Sequence, residues 1–304
     1  MPQLSEGGYI QAMPRPHKQE LDVFYRELYF GEGITDTYHV YYSDDQINQK
    51  RLRADCVIEL LAQNFEAKQA VEFLEVGCGE GFVLSSAVAK GWNVFGVDYQ
   101  LAPVLAFNPS MVPLVIATDP NLYLNDLIEK GVKKDVLVLQ NVLEHVLHPE
   151  DLLRNLQQLL TDDGCLLVQV PNDFSDLQLL ARKQGRINRD YWFLPPQHLN
   201  YFNEKSLLEV ARSCGFEFVD GISDFPVEMY LWGGADNYVT DKTLGKHAHN
   251  ARVALDLFFA RKGLDKYLQF YRAALQIGVG RNICAILKKF PQSGENVVSM
   301  TKDT

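Results

Sequence analysis

The sequence predicts an α/β chain whose centre is a mostly parallel sheet with helices on both faces. Three observations carry that prediction. Strand-like and helix-like runs alternate through the middle of the chain. The run Asp135-Val-Leu-Val-Leu-Gln140 is apolar without alternation, as strands are when helices cover both faces of a parallel sheet. A glycine-rich stretch, residues 77–81, stands between a strand-like and a helix-like run.

Taken in order, residues 71–76 form the first strand, and the helix after the glycines runs to Lys90, where Gly91 tolerates the positive φ of a helix stop. Residues 92–97 form the second strand, ending at Asp98; 113–118 form the third and 135–140 the fourth. Pro149 opens a helix at a position where its missing N–H costs nothing, and Leu152, Leu153, Leu156, Leu159 and Leu160 make its apolar stripe. Residues 165–170 form the fifth strand. Asn203 caps a helix carrying Leu207, Leu208 and Ala211, which Gly215 ends. Residues 216–220 and 282–287 bring the strand count to seven.

Two regions stand outside this rhythm. Residues 1–69 read as helical, with one helix starting at Ser43, which fits a capping box with Gln46 and turns Leu52, Cys56, Leu60 and Leu61 inward. Residues 226–278 read as a second helical block, with Leu264, Tyr267, Leu268 and Tyr271 as core packing.

Composition excludes several classes. Of 304 residues, 47% are hydrophobic and 22% charged, which fits a globular chain and excludes disorder, collagen and coiled coil. A net charge of −10 argues against gripping nucleic acid, which needs Lys and Arg to neutralise phosphates. Five widely spaced cysteines without a Cys-x-x-Cys pair make neither a disulfide framework nor a zinc site and suit a reducing compartment. Met1 to Pro16 contains no apolar signal-peptide region, and the uncharged stretch from Leu101 to Thr118 is broken by Pro103, Pro109 and Pro113. The expectation is a cytoplasmic chain with no membrane insertion.

The informative run is Glu75-Val-Gly77-Cys78-Gly79-Glu-Gly81-Phe82. Glycines there let the backbone turn sharply and approach a ligand, and the helix start adds amide donors. Asp98 lies 21 residues after Gly77 at a strand end, where a carboxylate can accept from both hydroxyls of a ribose. A dinucleotide fingerprint would need a third glycine where Phe82 stands. Glu75 is awkward for a pyrophosphate and apt for a cationic amino group. Together these favour S-adenosyl-L-methionine.

The run Phe73-Leu-Glu-Val-Gly-Cys-Gly-Glu-Gly81 is similar to the first motif of class I S-adenosylmethionine-dependent methyltransferases, and Asp98 falls at the second. Gln140-Asn-Val-Leu-Glu-His145-Val-Leu-His-Pro149 resembles the fourth-strand motif of the subgroup that includes ubiquinone-pathway and sugar O-methyltransferases. Leu160-Thr-Asp-Asp-Gly-Cys-Leu-Leu-Val168, Pro195-Pro-Gln-His-Leu-Asn-Tyr-Phe202 and Gly280-Arg-Asn-Ile-Cys-Ala-Ile-Leu-Lys288 look like later features of the same group. The resemblance covers about 70–225 and 279–289. It implies a Rossmann-like class I methyltransferase fold, with a seven-stranded, mostly parallel sheet whose last strand is antiparallel. The organisation expected is a helical cap (1–69), a methyltransferase core (70–225 and 279–290), a substrate cap (226–278) and a loose tail (291–304).

The resemblance also implies roles. Gly77, Cys78, Gly79 and Gly81 would shape the methionine pocket, with Glu75 holding the loop or meeting the amino group. Asp98 would bind the ribose, Tyr99 would lie against adenine and Asp119 would reach the adenine amine. Gln140 and Asn141 would border the methionine part, and one of Tyr38, Tyr41 and Tyr42 would touch the cofactor carboxylate. An oxygen acceptor loses a proton as it is methylated, and His145 and His198 are the candidate bases, since histidine titrates near neutrality. His247 and His249 read as a solvated loop, and no metal is expected. Trp192, Phe193, Tyr201 and Trp232 would line a pocket for a sugar ring or an aromatic acceptor, or belong to the core. No Asn-Pro-Pro-Tyr run and no Pro-Cys nucleophile is present, which with the charge points away from DNA and RNA. The expected function is O-methylation of a small-molecule acceptor, a sugar or glycan precursor first, a quinone or other natural product second. A nicotinamide-dependent oxidoreductase is opposed by Phe82 and the fourth-strand motif; a nucleoside-binding protein without catalysis is the other rival.

Overall fold

The computed structural model describes residues 1–25, 41–66, 68–233 and 237–291. Tyr38 and the expected tail beyond Pro291 lie outside these residues. The chain opens with two short strands, β1 (Pro2–Leu4) and β2 (Ile10–Ala12), then helices α1 (Lys18–Val23) and α2 (Asp44–Gln63). The alternating part follows as β3 (Glu72–Val76), α3 (Phe82–Ala89), β4 (Asn93–Asp98), α4 (Ala102–Phe107), β5 (Val115–Ala117), α5 (Pro120–Glu129), β6 (Lys134–Gln140), α6 (Pro149–Leu159) and β7 (Leu160–Pro171). Next come α7 (Asp176–Lys183), β8 (Asn200–Tyr201), α8 (Glu204–Ser213), β9 (Phe216–Ser223), α9 (Gly245–Ala260), α10 (Leu264–Gln276) and β10 (Asn282–Lys289).

Seven strands form one sheet in the order β5-β4-β3-β6-β7-β10-β9. The β3–β4, β3–β6, β4–β5 and β6–β7 pairs are parallel, and β10 runs antiparallel to both of its neighbours. This is the sheet expected. Successive side chains leave opposite faces of a strand, so the continuously apolar strands feed two cores. Phe73, Val136, Val138 and Leu167 pack with α2, α3 and α10 on one face. Leu74, Leu137, Leu139 and Leu166 pack with α6 and α8 on the other, including the α6 residues Leu152, Leu153, Leu156 and Leu159.

The helix signals act as read. Ser43 Oγ accepts from the Gln46 amide (3.3 Å) while Gln46 Oε1 accepts from the Ser43 amide (2.8 Å), and α2 buries Cys56, Leu60 and Leu61. Asn203 Oδ1 accepts from Ser206 N (3.0 Å) at the start of α8.

Residues 1–69 are not wholly helical. The strand β2 pairs antiparallel with β1 and with β8, making a second, three-stranded sheet. Strands of two or three residues carry no periodicity of their own; their pairing comes from partners far along the chain. The third strand of the main sheet is also shorter than read, because a 3-10 turn, Pro109–Leu114, precedes it. His247 and His249 sit on α9 rather than in a loop, and His249 bonds with Gln46 and Arg252. Helices α9 and α10 are tied to α2 through Asp256, which accepts from Gln49 Nε2, Arg53 Nη2, Tyr267 OH and Tyr271 OH. Among the described residues no helix is long and apolar enough to cross a membrane.

Candidate functional site

In open α/β sheets, ligands bind outside the carboxyl ends of the strands, where the strand order reverses. Here that point lies between β3 and β6, whose neighbours are added in opposite directions. Two cavities open there. One, about 290 Å³, is bordered by Tyr25, Asp98, Tyr99, Pro120, Asn121 and His145 among others. The second, about 260 Å³, is bordered by Lys50, Arg53, Glu75, the glycine loop and the polar ends of β7, β9 and β10. Gly77, Gln140 and Asn141 belong to both.

The loop after β3 needs its glycines. Gly77 has φ +74°, and a Cβ on it would stand 2.5 Å from Val142 Cγ2. Gly81 has φ +75° and begins α3. The loop folds onto β4: Gly77 N donates to Val97 O (2.8 Å) and Gly79 N to Asp98 Oδ2 (2.8 Å). The Cys78 thiol packs over Gly96 on β4, and the residue borders the second cavity.

Two carboxylates sit beneath the loop. Glu75 is 3% exposed, and its Oε2 has no hydrogen-bond partner among the described residues. Burial first, then the nearby Asp98 charge, hold its carboxyl well above the ordinary range. Burial also raises Asp98, against backbone hydrogen bonds from Gly79, Gln100 and Tyr99. Tyr99 borders the first cavity and donates to Asp119 Oδ1 (3.4 Å). Asp119 itself is not brought to the cavity wall: its carboxylate caps α5 by accepting from Asn121 N (2.9 Å), and Pro120 and Asn121 stand at the wall instead. The Asp-Pro pair opening a helix was the signal for that cap.

Gln140 and Asn141 end β6 in a short amide chain: Gln140 Nε2 donates to Gln169 Oε1 (3.3 Å), and Gln169 Nε2 to Asn141 Oδ1 (3.4 Å). Gln169 was not anticipated, although its place at the end of the fifth parallel strand marks it. Lys50 and Arg53 on α2 were missed as well. Lys50 pairs with Glu80 (2.7 Å), and Arg53 lies between Asp224 (3.4 Å) and Asp256 (3.1 Å). Of the three tyrosines, Tyr42 donates to Glu80 Oε1 (2.5 Å), Tyr41 is exposed, and Tyr38 is outside the described residues.

The turn after β6 carries the histidine. His145 borders the first cavity, and its ring meets that of His198 edge-on, with centroids 4.9 Å apart. His198 does not border either cavity. The turn is clamped to residues 197–200: Gln197 O accepts from His145 Nδ1 (2.6 Å), Glu144 O accepts from Leu199 N (2.8 Å) and Asn200 N (3.0 Å), and Asn200 Nδ2 donates to Leu143 O and Val146 O. Arg15 in turn holds Asn200 Oδ1 (3.1 Å). Burial lowers His145 to about 4 and His198 to about 2, and raises Glu144 to about 8. The fold brings one ligand atom each of Glu144, His145 and His198 within 4.8 Å of one another.

Trp192, Phe193 and Trp232 pack in a separate core cluster, Tyr201 is buried against Phe193, and none of the four borders either cavity. Of the two openings left in the sequence, the core one holds.

A family model described as a methyltransferase domain matches residues 47–220. The ubiquinone biosynthesis O-methyltransferase of Rickettsia bellii (strain OSU 85-389) is 26% identical over 186 residues, covering 55% of this chain and 73% of that protein. A probable S-adenosylmethionine-dependent methyltransferase of Mycolicibacterium smegmatis is 29% identical over 154 residues, covering 51% of this chain and 55% of that one. Among solved structures, the 1,6-didemethyltoxoflavin-N1-methyltransferase of Burkholderia thailandensis, bound to 1,6-didemethyltoxoflavin and S-adenosylhomocysteine, aligns with 95% of this chain and 99% of its own at a TM-score of 0.50. At 14% identity it shares the fold.

Proposed function

We propose, from the premise that this chain belongs to the methyltransferase-domain family and is an S-adenosylmethionine-dependent methyltransferase, that it methylates a hydroxyl of a small molecule, a sugar or glycan precursor in first place. The residues around the glycine loop fit the cofactor. Glu75, stripped of water and with Oε2 lacking a partner among the described residues, suits a cationic amino group. Asp98 accepts from the Gly79, Gln100 and Tyr99 amides and keeps acceptor capacity for a ribose hydroxyl. Lys50 and Arg53 are the cations at the cavity wall that suit a carboxylate. Tyr99, Pro120 and Asn121 border the space assigned to adenine. When bound, S-adenosylmethionine supplies an electrophilic methyl group on a sulfonium. The protein's share is alignment, exclusion of water and the handling of one proton.

The observation that carries a hydroxyl-rich acceptor is the polar wall beyond the loop, formed by Gln140, Asn141, Gln169, Ser223, Asp224 and Asn282. These groups suit several hydroxyls at once. His145, on the wall of the adjoining cavity, marks where the reacting hydroxyl gives up its proton, and His198, edge-on behind it, positions it. A second reading, methylation of a quinone-type ring hydroxyl, is favoured by the names of the Rickettsia relatives and by the apolar side of the first cavity at Leu21, Val142, Leu147 and Leu152.

The test is an acceptor screen by mass spectrometry with isotope-labelled S-adenosylmethionine, offering nucleotide sugars, simple glycosides and dihydroxyphenols. A methylated sugar hydroxyl is the expected product. Methylation of dihydroxyphenols alone would move the assignment to the second reading, and products labelled only at nitrogen would sink both.

A further inference from the structure

We propose that the acceptor carries a phosphoryl group, as a sugar phosphate or a nucleotide sugar does, and that Arg252 on α9 holds it at the outer rim of the second cavity. The sugar part of this statement rests on the proposed function; the anion site does not. Among the described residues Arg252 has one hydrogen bond, from Nη2 to His249 Nδ1 (3.0 Å), and no carboxylate partner. Its Nε is buried and without a partner, as is the Nε of Arg53. A guanidinium offers five N–H donors, so most of this one is unspent. The carboxylates nearby are already engaged. Asp256 accepts from Gln49, Arg53, Tyr267 and Tyr271, Asp224 from Arg53 and from the Asn282 amide and side chain, and Glu80 from Tyr42 and Lys50. Burial first, then the neighbouring Arg53 charge, hold Arg252 below the usual guanidinium range. Burial acts on Arg53 in the same sense, but Asp224 and Asp256 prevail and hold it above that range. Of the two arginines, Arg252 is the one that lacks an anion.

The seam between α2 and α9 places that anion. His249, Arg252 and Asp256 fall on one face of α9, at spacings of three and four residues. That face meets α2 on both sides of Arg252: His249 bonds with Gln46 (2.9 Å), and Asp256 accepts from Gln49 and Arg53. Lys50, Arg53 and Asp224 border the second cavity, together with the polar groups of Gln169, Ser223 and Asn282. Arg252 is not a wall residue, so it meets the part of an acceptor that projects from the cavity. A sugar seated on the polar wall extends its anionic end past Asp224 and Arg53 to reach it. Lys50 and Arg53 face the cofactor carboxylate from the cavity side, which leaves Arg252 to the acceptor. The surrounding charge leads the same way. From Lys242 to Leu255 the chain holds Lys242, Lys246 and Arg252 and no Asp or Glu, while its net charge is −10. A local positive field on an acidic protein draws anions to that rim. The planar guanidinium fork then matches two phosphoryl oxygens at once.

The experiment uses the full chain saturated with S-adenosylhomocysteine and titrates it with pyrophosphate by calorimetry. Wild type is expected to bind the probe. Affinity should fall roughly tenfold or more in Arg252→Gln, as for a lost hydrogen bond to a charged group, and be partly restored in Arg252→Lys. Arg261→Gln, which removes an exposed cation just after α9, should leave it unchanged. In turnover, Arg252→Gln should raise the KM of a phosphorylated sugar by a similar factor, with kcat kept and the KM of the matching neutral methyl glycoside unmoved. Pyrophosphate binding as tight in Arg252→Gln as in wild type overturns the site. So does a wild-type chain that binds S-adenosylhomocysteine but not pyrophosphate. A parallel loss of S-adenosylhomocysteine affinity in Arg252→Gln, at an unchanged melting temperature, would give Arg252 to the cofactor carboxylate and overturn it as well. An enzyme that methylates only nitrogen, yet binds pyrophosphate through Arg252, would keep the anion site and lose the sugar.

Discussion

Asp256 and Glu144 are both carboxylates with almost no exposure, yet their surroundings are opposite. Asp256 accepts from four side chains on α2 and α10, so its lone pairs are spent on holding elements together. Glu144 keeps an oxygen without a partner among the described residues, beside two histidines. Glu75 beneath the glycine loop repeats the second pattern. Buried polar groups are ordinarily hydrogen-bonded. A saturated one therefore reads as architecture, and an unsaturated one such as Glu75, which borders the second cavity, reads as a place kept for something else.

The sharpest way to break this contrast is Asp256→Ala. It leaves Arg53, Gln49 and two tyrosine hydroxyls short of a partner, and the expected loss of stability is about 3–5 kcal/mol, read from urea denaturation. A loss below about 1 kcal/mol would show that Asp256 is not architectural. The converse case is Asp98→Asn. It should weaken S-adenosylhomocysteine binding by roughly ten- to a hundredfold, as expected for a hydrogen bond to a charged group, with stability kept or raised. Destabilisation like that of Asp256→Ala would erase the distinction.

Glu75 sharpens the comparison through pH. Its carboxyl is raised by burial and by Asp98, and a cationic amino group beside it favours the ionised form. Binding should then release a proton, and affinity should rise with pH through the free enzyme's Glu75 titration. Calorimetry in buffers of different ionisation enthalpy measures this; Glu75→Gln should abolish the proton release, and a release that survives would place it elsewhere.

The smallest effect belongs to a partly exposed architectural carboxylate, Asp220. Burial acts to raise Asp220, but hydrogen bonds from Arg272, Asn64 and the Gly221 amide prevail and hold it below the usual range. Its contribution is present above the unfolded-state value and is lost as pH falls through the folded one. Asp220→Asn should cost under about 1 kcal/mol at neutral pH and flatten the acid limb of the stability curve. An unchanged acid limb would remove Asp220 from the architectural set.

What was legible in the sequence was local. The glycine loop, the strand end at Asp98, the continuous strand β6 and the caps at Ser43 and Asn203 are each written within a few neighbouring residues. The parts missed depend on residues distant in the chain. Strands β1 and β2 exist because β8 pairs with β2, and Glu144 and His145 meet His198 only through the clamp at 197–200. Gln169, Lys50 and Arg53 carry no motif; the fold alone brings them to the rim. The four aromatics were left open between a stacking platform and the core, because their type suits either; packing decides it, with Trp192 buried, Phe193 and Trp232 packed against its cluster and Tyr201 against Phe193.

The reach of these contacts also sets an order of assembly. Gly79 and Asp98 are 19 residues apart, whereas the contact from Arg15 to Asn200 closes 185. Closing the longer loop costs more chain entropy and waits on more of the fold. During refolding, recognition of S-adenosylhomocysteine should return ahead of the ordered His145 turn, giving a transient species that has regained its nucleoside pocket but not its chemistry. Stopped-flow refolding with a fluorescent cofactor analogue, sampled in parallel for turnover, would register that lag; simultaneous recovery would mean that the two halves of the rim form in one step.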